Sequence, residues 1–87
     1  MMSRQDKLLR RFLTRPADFR FDEMSMLPKS FGYEEIRSEK TSGSRVAFIS
    51  RTSGHIIRLH RPHPGNIMKK YQVDFVEEAL RAKGIIE

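Results

Sequence analysis

The sequence contains no cysteine and no tryptophan. The lack of cysteine excludes disulfide bonds, cysteine-ligated zinc and thiol nucleophiles, and it is typical of a reducing compartment, so we expect a cytoplasmic protein. With 87 residues, of which 38% are hydrophobic, the chain forms one small domain that buries only about 60% of its unfolded-chain surface. We therefore expect a functional site on an open surface, and no cofactor.

Long hydrophobic runs are also missing. The apolar runs are short, as at Ile85 and Ile86. A membrane-spanning helix needs roughly 20 consecutive apolar residues, and the core of a signal peptide needs about 7–15. We therefore expect no membrane span, no signal peptide and no membrane partner.

Acidic residues are absent from residues 40–73, although that segment holds seven Lys and Arg and all three histidines. The whole chain carries a formal net charge of +6 at pH 7, so this segment alone carries more than the net charge. Because no carboxylate within it neutralises its field, a polyanion such as RNA is the first candidate partner. The alternative is an ordinary solvated surface whose neutralising acids lie elsewhere in the chain.

Hydrophobic spacing predicts three helices. The first runs from about Ser3, its N-cap, to Thr14, and the second from near Asp22 to Gly32. Pro28 lies inside the second helix, which we therefore expect to be kinked or shorter than its apolar stripe. The last helix ends at Gly84. The apolar positions of the three helices are Leu8, Leu9, Phe12 and Leu13, then Met24, Leu27 and Phe31, then Val73, Val76, Ala79 and Leu80.

Between the second and third helices the period changes to two, which predicts a three-stranded antiparallel sheet. Its strands are the runs Tyr33 to Glu39, Arg45 to Ser50 and His55 to His60. The chain is thus predicted to be an α+β domain with its helices on one face of the sheet. If Val46, Phe48, Ile57 and Leu59 face the helices, then Arg45, Arg58 and His60 share the open face. The loop Arg61 to Asn66 contains two prolines and would bring His63 to the edge of the sheet.

The histidines and cations of this segment fit metal-independent RNA cleavage. Transesterification needs a group that takes the 2′-hydroxyl proton, a group that protonates the leaving oxygen, and cations that stabilise the developing negative charge. His60 and His63 are the candidates for proton transfer, because imidazole titrates near pH 7. The candidate phosphate-binding side chains are Arg45, Arg58, Lys69 and Lys70.

Two other interpretations of the histidines remain open. His60 and His63, three residues apart, also fit a pair of metal ligands, but residues 40–73 contain no carboxylate or cysteine that would complete such a site. Each histidine is alternatively a surface side chain, and this interpretation is favoured for His55, which follows Gly54 in a turn.

A series of short motifs resembles the HicA toxin family over about residues 20–86. The motifs are Phe21-Asp22-Glu23, Phe31-Gly32-Tyr33, Gly43-Ser44-Arg45-Val46-Ala47-Phe48, His63-Pro64-Gly65-Asn66 with Lys69-Lys70, and Ala82-Lys83-Gly84-Ile85. The resemblance implies a double-stranded-RNA-binding-domain-like fold and a messenger-RNA interferase that a HicB antitoxin neutralises. Residues 1–20 would be an N-terminal helical extension, and residues 21–87 the HicA-like domain. The expected RNA-binding residues are Lys40, Ser44, Arg45, Arg58, Arg61, Lys69 and Lys70.

The sequence departs from the family pattern at one position. The family's usual motif is Gly-Ser-His, with a catalytic histidine, whereas this chain reads Gly43-Ser44-Arg45. Arginine binds phosphate but does not transfer protons near pH 7. Either His60 has taken the role, or the mechanism differs, or the chain binds RNA without cleaving it. We expect a metal-independent endoribonuclease; the alternatives are a non-catalytic RNA-binding module and an interaction protein for an acidic partner.

Overall fold

A three-stranded sheet with three helices makes up the described part of the chain. The structure is a computed structural model that describes residues 3–36, 45–62 and 65–86. The predicted α+β class and element order are confirmed. In chain order the elements are α1 (Arg4–Leu13), α2 (Phe21–Ser30), β1 (Tyr33–Ile36), β2 (Arg45–Ser50), β3 (Ile56–His60) and α3 (Lys70–Ala82).

Helix α1 begins at its predicted N-cap. The Ser3 hydroxyl accepts a hydrogen bond from the Asp6 N–H at 3.1 Å, and the Asp6 carboxylate accepts one from the Ser3 N–H at 3.2 Å. This reciprocal pair forms a capping box. Phe12 is fully buried and packs edge-to-face on Phe19, with ring centroids 5.8 Å apart. Helix α1 therefore contributes to the same core as the rest of the domain.

Pro28 lies inside helix α2, which continues two residues beyond it. It ends at Ser30, and Phe31 is its C-cap. Gly32 follows with φ +88°, a left-handed conformation that glycine adopts without steric cost, and the chain turns there into β1. The buried residues Met24, Leu27 and Pro28 face the core.

The sheet is antiparallel, with the order β1-β2-β3. Burial alternates along β2 and β3, so the helices cover one face of the sheet and leave the other open. Strand β3 begins at Ile56, one residue later than predicted, and residues 37–39 of the predicted first strand lie outside the described residues. The buried apolar core consists of Phe12, Phe19, Phe21, Met24, Leu27, Tyr33, Val46, Phe48, Ile57, Leu59, Met68, Val73, Val76 and Leu80.

Ion pairs join the two ends of the chain. Arg15 binds Asp74 of α3 at 2.7 Å and also pairs with Glu77, which in turn binds Arg81 at 2.7 Å. Hydrogen bonds from Arg81 and Arg15 lower the pKa of Glu77. These contacts anchor the segment after α1 to the exposed side of α3. Within the described ranges, no helix has the length and apolar character that crossing a membrane requires.

Candidate nucleic-acid interface

The open face of the sheet carries a pocket of about 330 Å³. Its charged or titratable lining residues are Arg45, Arg58 and His60, which we call the basic face. All three are exposed, and they share this face as the sequence pattern predicted. The remaining lining residues are Ile36, Val46, Ala47 and Leu59. The pocket therefore combines two guanidinium groups and an imidazole with the apolar side chains of Ile36 and Ala47 on the open face.

Arg45 and His60 are direct partners across the β2–β3 ladder. The N–H and C=O of His60 both bind the side chain of Gln72, at 2.8 Å and 3.2 Å. Because the two backbone groups of a strand residue point to the same side, those of His60 point away from β2. The Arg45–His60 pair is therefore of the non-hydrogen-bonded type, in which the Cα atoms are only about 4.5 Å apart and the side chains are closest. Arg58, the partner of Ala47, lies beside them on the same face.

Gln72 also places the beginning of α3 next to the basic face. It lies in the first turn of the helix and is 5% exposed, so its bonds to His60 hold this turn against the end of β3. Lys69 is the N-cap residue and Lys70 the first helical residue, and both are exposed. The first turn contains no acidic residue, so the partial positive charge of the helix end adds to the charge of the two lysines.

The ion pairs of the described residues involve other cations. Arg45, Arg58, Lys69 and Lys70 form no ion pair within the described ranges, whereas five other cations do: Arg11, Arg15, Lys29, Arg51 and Arg81. The hydrogen bonds from Arg11, for example, lower the pKa of Asp18 and of Glu23. The positive charge of the basic face is thus available to an external anion.

One predicted RNA-binding residue points elsewhere. The guanidinium of Arg61 lies over the ring of Phe21, 4.9 Å from its centroid, and its buried Nε has no hydrogen-bond partner among the described residues. Arg61 does not line the pocket on the open face. Cation–π packing on the first residue of α2 accounts for its position. The structure thus separates Arg61 from Arg45 and Arg58.

Three of the predicted site residues lie outside the described residues: Lys40, Ser44 and His63. Their roles stay predictions. The same holds for the metal-ligand interpretation of His60, which depends on His63. Within the described ranges, no cluster of three or more His, Asp and Glu side chains could hold a metal ion.

The structure gives His55 a partner that the sequence did not suggest. Its Nδ1 lies 2.7 Å from the hydroxyl of buried Tyr33, and the two rings pack edge-to-face. Burial lowers the pKa of His55, and the positive charge of Lys83 lowers it further. The expectation of a simple surface side chain is therefore wrong: His55 is half-buried and joins the start of β1 to the start of β3.

Gln72 is the second residue that sequence reasoning missed. Its signal is its spacing: it precedes Val76 by four residues, so it extends the buried face of α3 by one turn. A polar residue at a buried helix position needs a hydrogen-bond partner. That requirement points to a backbone contact, but the partner, the edge of β3, is visible only in three dimensions.

Comparisons of the chain with family models, with curated proteins and with solved structures find no match. What the chain does is therefore inferred from its own residues and their geometry.

Proposed function

We propose that this chain is a HicA-like toxin, a metal-independent endoribonuclease of the cytoplasm that cleaves messenger RNA. The observation that carries the proposal is the pairing of Arg45 with His60 across the sheet, with Arg58 beside them and no carboxylate pairing with either arginine in the described ranges. A guanidinium can hold the phosphate while a neighbouring imidazole transfers protons.

The pairing of Arg45 with His60 suggests which residue replaces the family's usual catalytic histidine. The family's usual catalytic histidine corresponds to position 45, where this chain has arginine. His60 approaches the same point of the open face from the neighbouring strand, because the side chains of a non-hydrogen-bonded pair start from Cα atoms only about 4.5 Å apart. An imidazole from β3 thus replaces an imidazole from β2, and Arg45 adds a phosphate-binding group.

The proposed chemistry needs no group beyond side chains. His60, as general base, takes the proton of the ribose 2′-hydroxyl, and the 2′-oxygen attacks the adjacent phosphorus. Arg45 and Arg58 stabilise the negative charge of the phosphorane. A general acid then protonates the departing 5′-oxygen, and the fragment that contains the attacking 2′-oxygen ends in a 2′,3′-cyclic phosphate. His63 is the candidate that the sequence predicts for this general acid.

The proposal also includes the fold family of the chain and its protein partner. The order helix, three strands and helix after α1 supports a double-stranded-RNA-binding-domain-like fold, in which residues 1–20 would be an N-terminal extension. The burial of Phe12 would attach that extension to the core. An acidic HicB-like antitoxin would neutralise the toxin by covering the unpaired arginines of the basic face. RNA and antitoxin would then compete for one surface.

A non-catalytic RNA-binding module of the same fold is the second candidate. The observation that favours it is Arg45 itself, since an arginine in place of the family's histidine strengthens phosphate binding and removes a proton-transfer group. This candidate shares the basic face and differs only in the absence of cleavage.

The salt dependence of RNA binding tests both candidates against a pure protein-interaction role. If about four cations contact phosphates, the logarithm of the binding constant falls with the logarithm of salt concentration at a slope of about −3 for single strands. Arg45→Ala and Arg58→Ala should each make the slope shallower by about 0.7. Arg10→Ala is the matched control, because Arg10 is exposed on α1 and forms no ion pair within the described ranges. Salt-independent binding would contradict the proposal, whereas salt-dependent binding without cleavage would leave the second candidate.

A further inference from the structure

Two aromatic side chains of this domain are exposed on one helix. Of the six Phe and two Tyr residues, all of which lie within the described ranges, only Tyr71 and Phe75 fall in the exposed class, at 62% and 48%. They are four residues apart on α3 and thus lie one above the other on the same side of the helix. Neither contributes to the core.

The side of α3 that carries these aromatics is fixed by its neighbours. Gln72 faces His60 at the edge of the sheet, and Asp74 faces Arg15. Successive helical residues are rotated by about 100° around the helix axis. Phe75 therefore lies about 60° from Gln72, and Tyr71 lies about 100° from Gln72 in the same direction. Asp74 lies farther around the axis in that direction. The aromatic pair therefore occupies the exposed surface of α3 beside the edge of β3, the strand that carries Arg58 and His60.

We propose that Tyr71, with Phe75 beyond it, stacks on the bases of single-stranded RNA whose phosphates lie on the basic face. This inference rests on the proposed function and adds to it the substrate class and a base-binding residue. Single strands present unstacked bases to exposed aromatic rings, whereas a duplex keeps its bases paired and stacked inside. The strand passes from the basic face over the beginning of α3.

Charge favours a polyanion such as RNA over a neutral or basic protein segment at Tyr71. Lys69 and Lys70 immediately precede it, neither pairs with a carboxylate in the described ranges, and the first turn of α3 has no acidic residue. Glu78 lies one turn beyond Phe75 and is exposed, so the cationic end of this surface is the end with Tyr71. Tyr71 is accordingly the main stacking residue.

The chain offers a direct optical test. It has no tryptophan and two tyrosines, of which Tyr33 is 4% exposed, so a solvent-accessible nucleobase quenches the emission of Tyr71 alone. The probes are a short oligouridine with methylated 2′-hydroxyls, which prevents cleavage, and an RNA duplex of equal length with the same modification. Single-stranded probe should quench the tyrosine emission of the wild-type protein, and duplex should not.

Substitutions separate stacking from charge. Tyr71→Ala should weaken single-strand binding by about 5- to 150-fold, because that is the range for losing one base–aromatic stack, and should leave the salt slope unchanged. Tyr71→Phe keeps the ring and should bind as wild type, but without the ligand-dependent quenching of tyrosine emission. Met26→Ala is the matched control, because Met26 is a 54% exposed apolar residue on α2. Its binding should be unchanged.

The outcomes distinguish this inference from the proposed function. Salt-dependent RNA binding that Tyr71→Ala leaves at the wild-type affinity overturns the stacking inference and leaves the proposed function intact. The inference is also overturned if duplex binds more tightly than single strand, or if Tyr71→Ala reduces binding of a co-expressed partner protein and not of RNA. Absence of any RNA binding by the wild-type protein overturns both proposals together.

Discussion

The side chain of Gln72 binds both backbone polar groups of His60, accepting a hydrogen bond from its N–H and donating one to its C=O. These two bonds occupy the edge of β3, the outer strand of the sheet on that side. An edge strand otherwise presents unpaired N–H and C=O groups to solvent or to other chains. One glutamine thus satisfies the outward-facing backbone groups of His60, docks α3 and fixes the strand position from which His60 projects.

Replacing Gln72 should lower the free energy of unfolding, because its side chain is buried. Gln72→Met removes both hydrogen bonds at nearly constant volume and leaves two backbone groups without a partner, which we expect to lower the free energy of unfolding by about 1–3 kcal/mol. The measurement is chemical denaturation, and the amide hydrogen of His60 should exchange faster.

Gln5→Met is the control for that experiment. Gln5 also bonds a backbone carbonyl, that of Ser30 at 2.8 Å, but in an exposed position. Water replaces an exposed bond, so the loss should stay within about 0.5 kcal/mol. Equal losses for the two glutamines would show that Gln72 has no special role at the sheet edge.

Helix α1 should prove essential to stability through Phe12. This side chain is fully buried against Phe19, so Phe12→Ala is expected to cost about 3–5 kcal/mol. Small domains have total stabilities of about 5–15 kcal/mol, so the variant should be close to unfolding. Its neighbour Leu13 is 38% exposed, and Leu13→Ala should cost much less. Similar melting temperatures for the two variants would contradict a core role for α1.

Local patterns were sufficient for the elements of this fold. Alternation along β2 predicted that Arg45 and Val46 face opposite sides, and a single stripe predicted the burial of Phe12. Both predictions hold because burial follows strand and helix periods directly. The expectation drawn from Pro28 is different, because α2 includes this proline and runs on to Ser30.

Long-range partners were not predictable in this way. The contact between Tyr33 and His55 joins residues 22 positions apart, and neither position in a local pattern specifies the other. Arg61 counts as one more cation in a basic segment, yet an aromatic ring from α2 holds its guanidinium. Side-chain partners of this kind depend on how strands and helices are placed together, which no local period encodes.

The stability of the protein should depend on pH through His55. Burial lowers its pKa in the folded state below the usual 6.5, so the folded protein binds fewer protons than the unfolded chain just below that pH. Stability then rises with pH in this window. The contribution of His55 is complete above about pH 6.5 and is lost as the pH falls toward the lowered pKa.

His55→Gln removes this titration and should flatten the curve of unfolding free energy against pH between about pH 7 and pH 5. Denaturant midpoints of the wild type and the variant, measured across that interval, provide the comparison. The difference between the two proteins should shrink as the pH falls. Curves that stay parallel throughout would mean that His55 titrates alike in the folded and unfolded states.

The catalytic assignment of His60 makes the sharpest prediction. Loss of a general base typically reduces the rate about 10²–10⁴-fold and leaves substrate affinity nearly unchanged. His60→Ala should therefore bind RNA with the wild-type salt slope and cleave it slowly. Its fold should be preserved, because His60 is exposed and Gln72 holds its backbone rather than its imidazole.

Arg45→Ala is the matched comparison, because Arg45 faces His60 across the same ladder. Losing a phosphate-binding guanidinium should weaken affinity and cleavage together and make the salt slope shallower, whereas losing the imidazole should affect cleavage alone. His63→Ala should reduce cleavage less completely than His60→Ala.

Cleavage at the wild-type rate by purified His60→Ala would refute the assignment. The proton transfer would then belong to His63, or the chain would act on RNA without cleaving it. A double variant of Arg45 and His60 sharpens the result: if the two side chains act on one phosphate, its loss of rate should be smaller than the product of the two single losses.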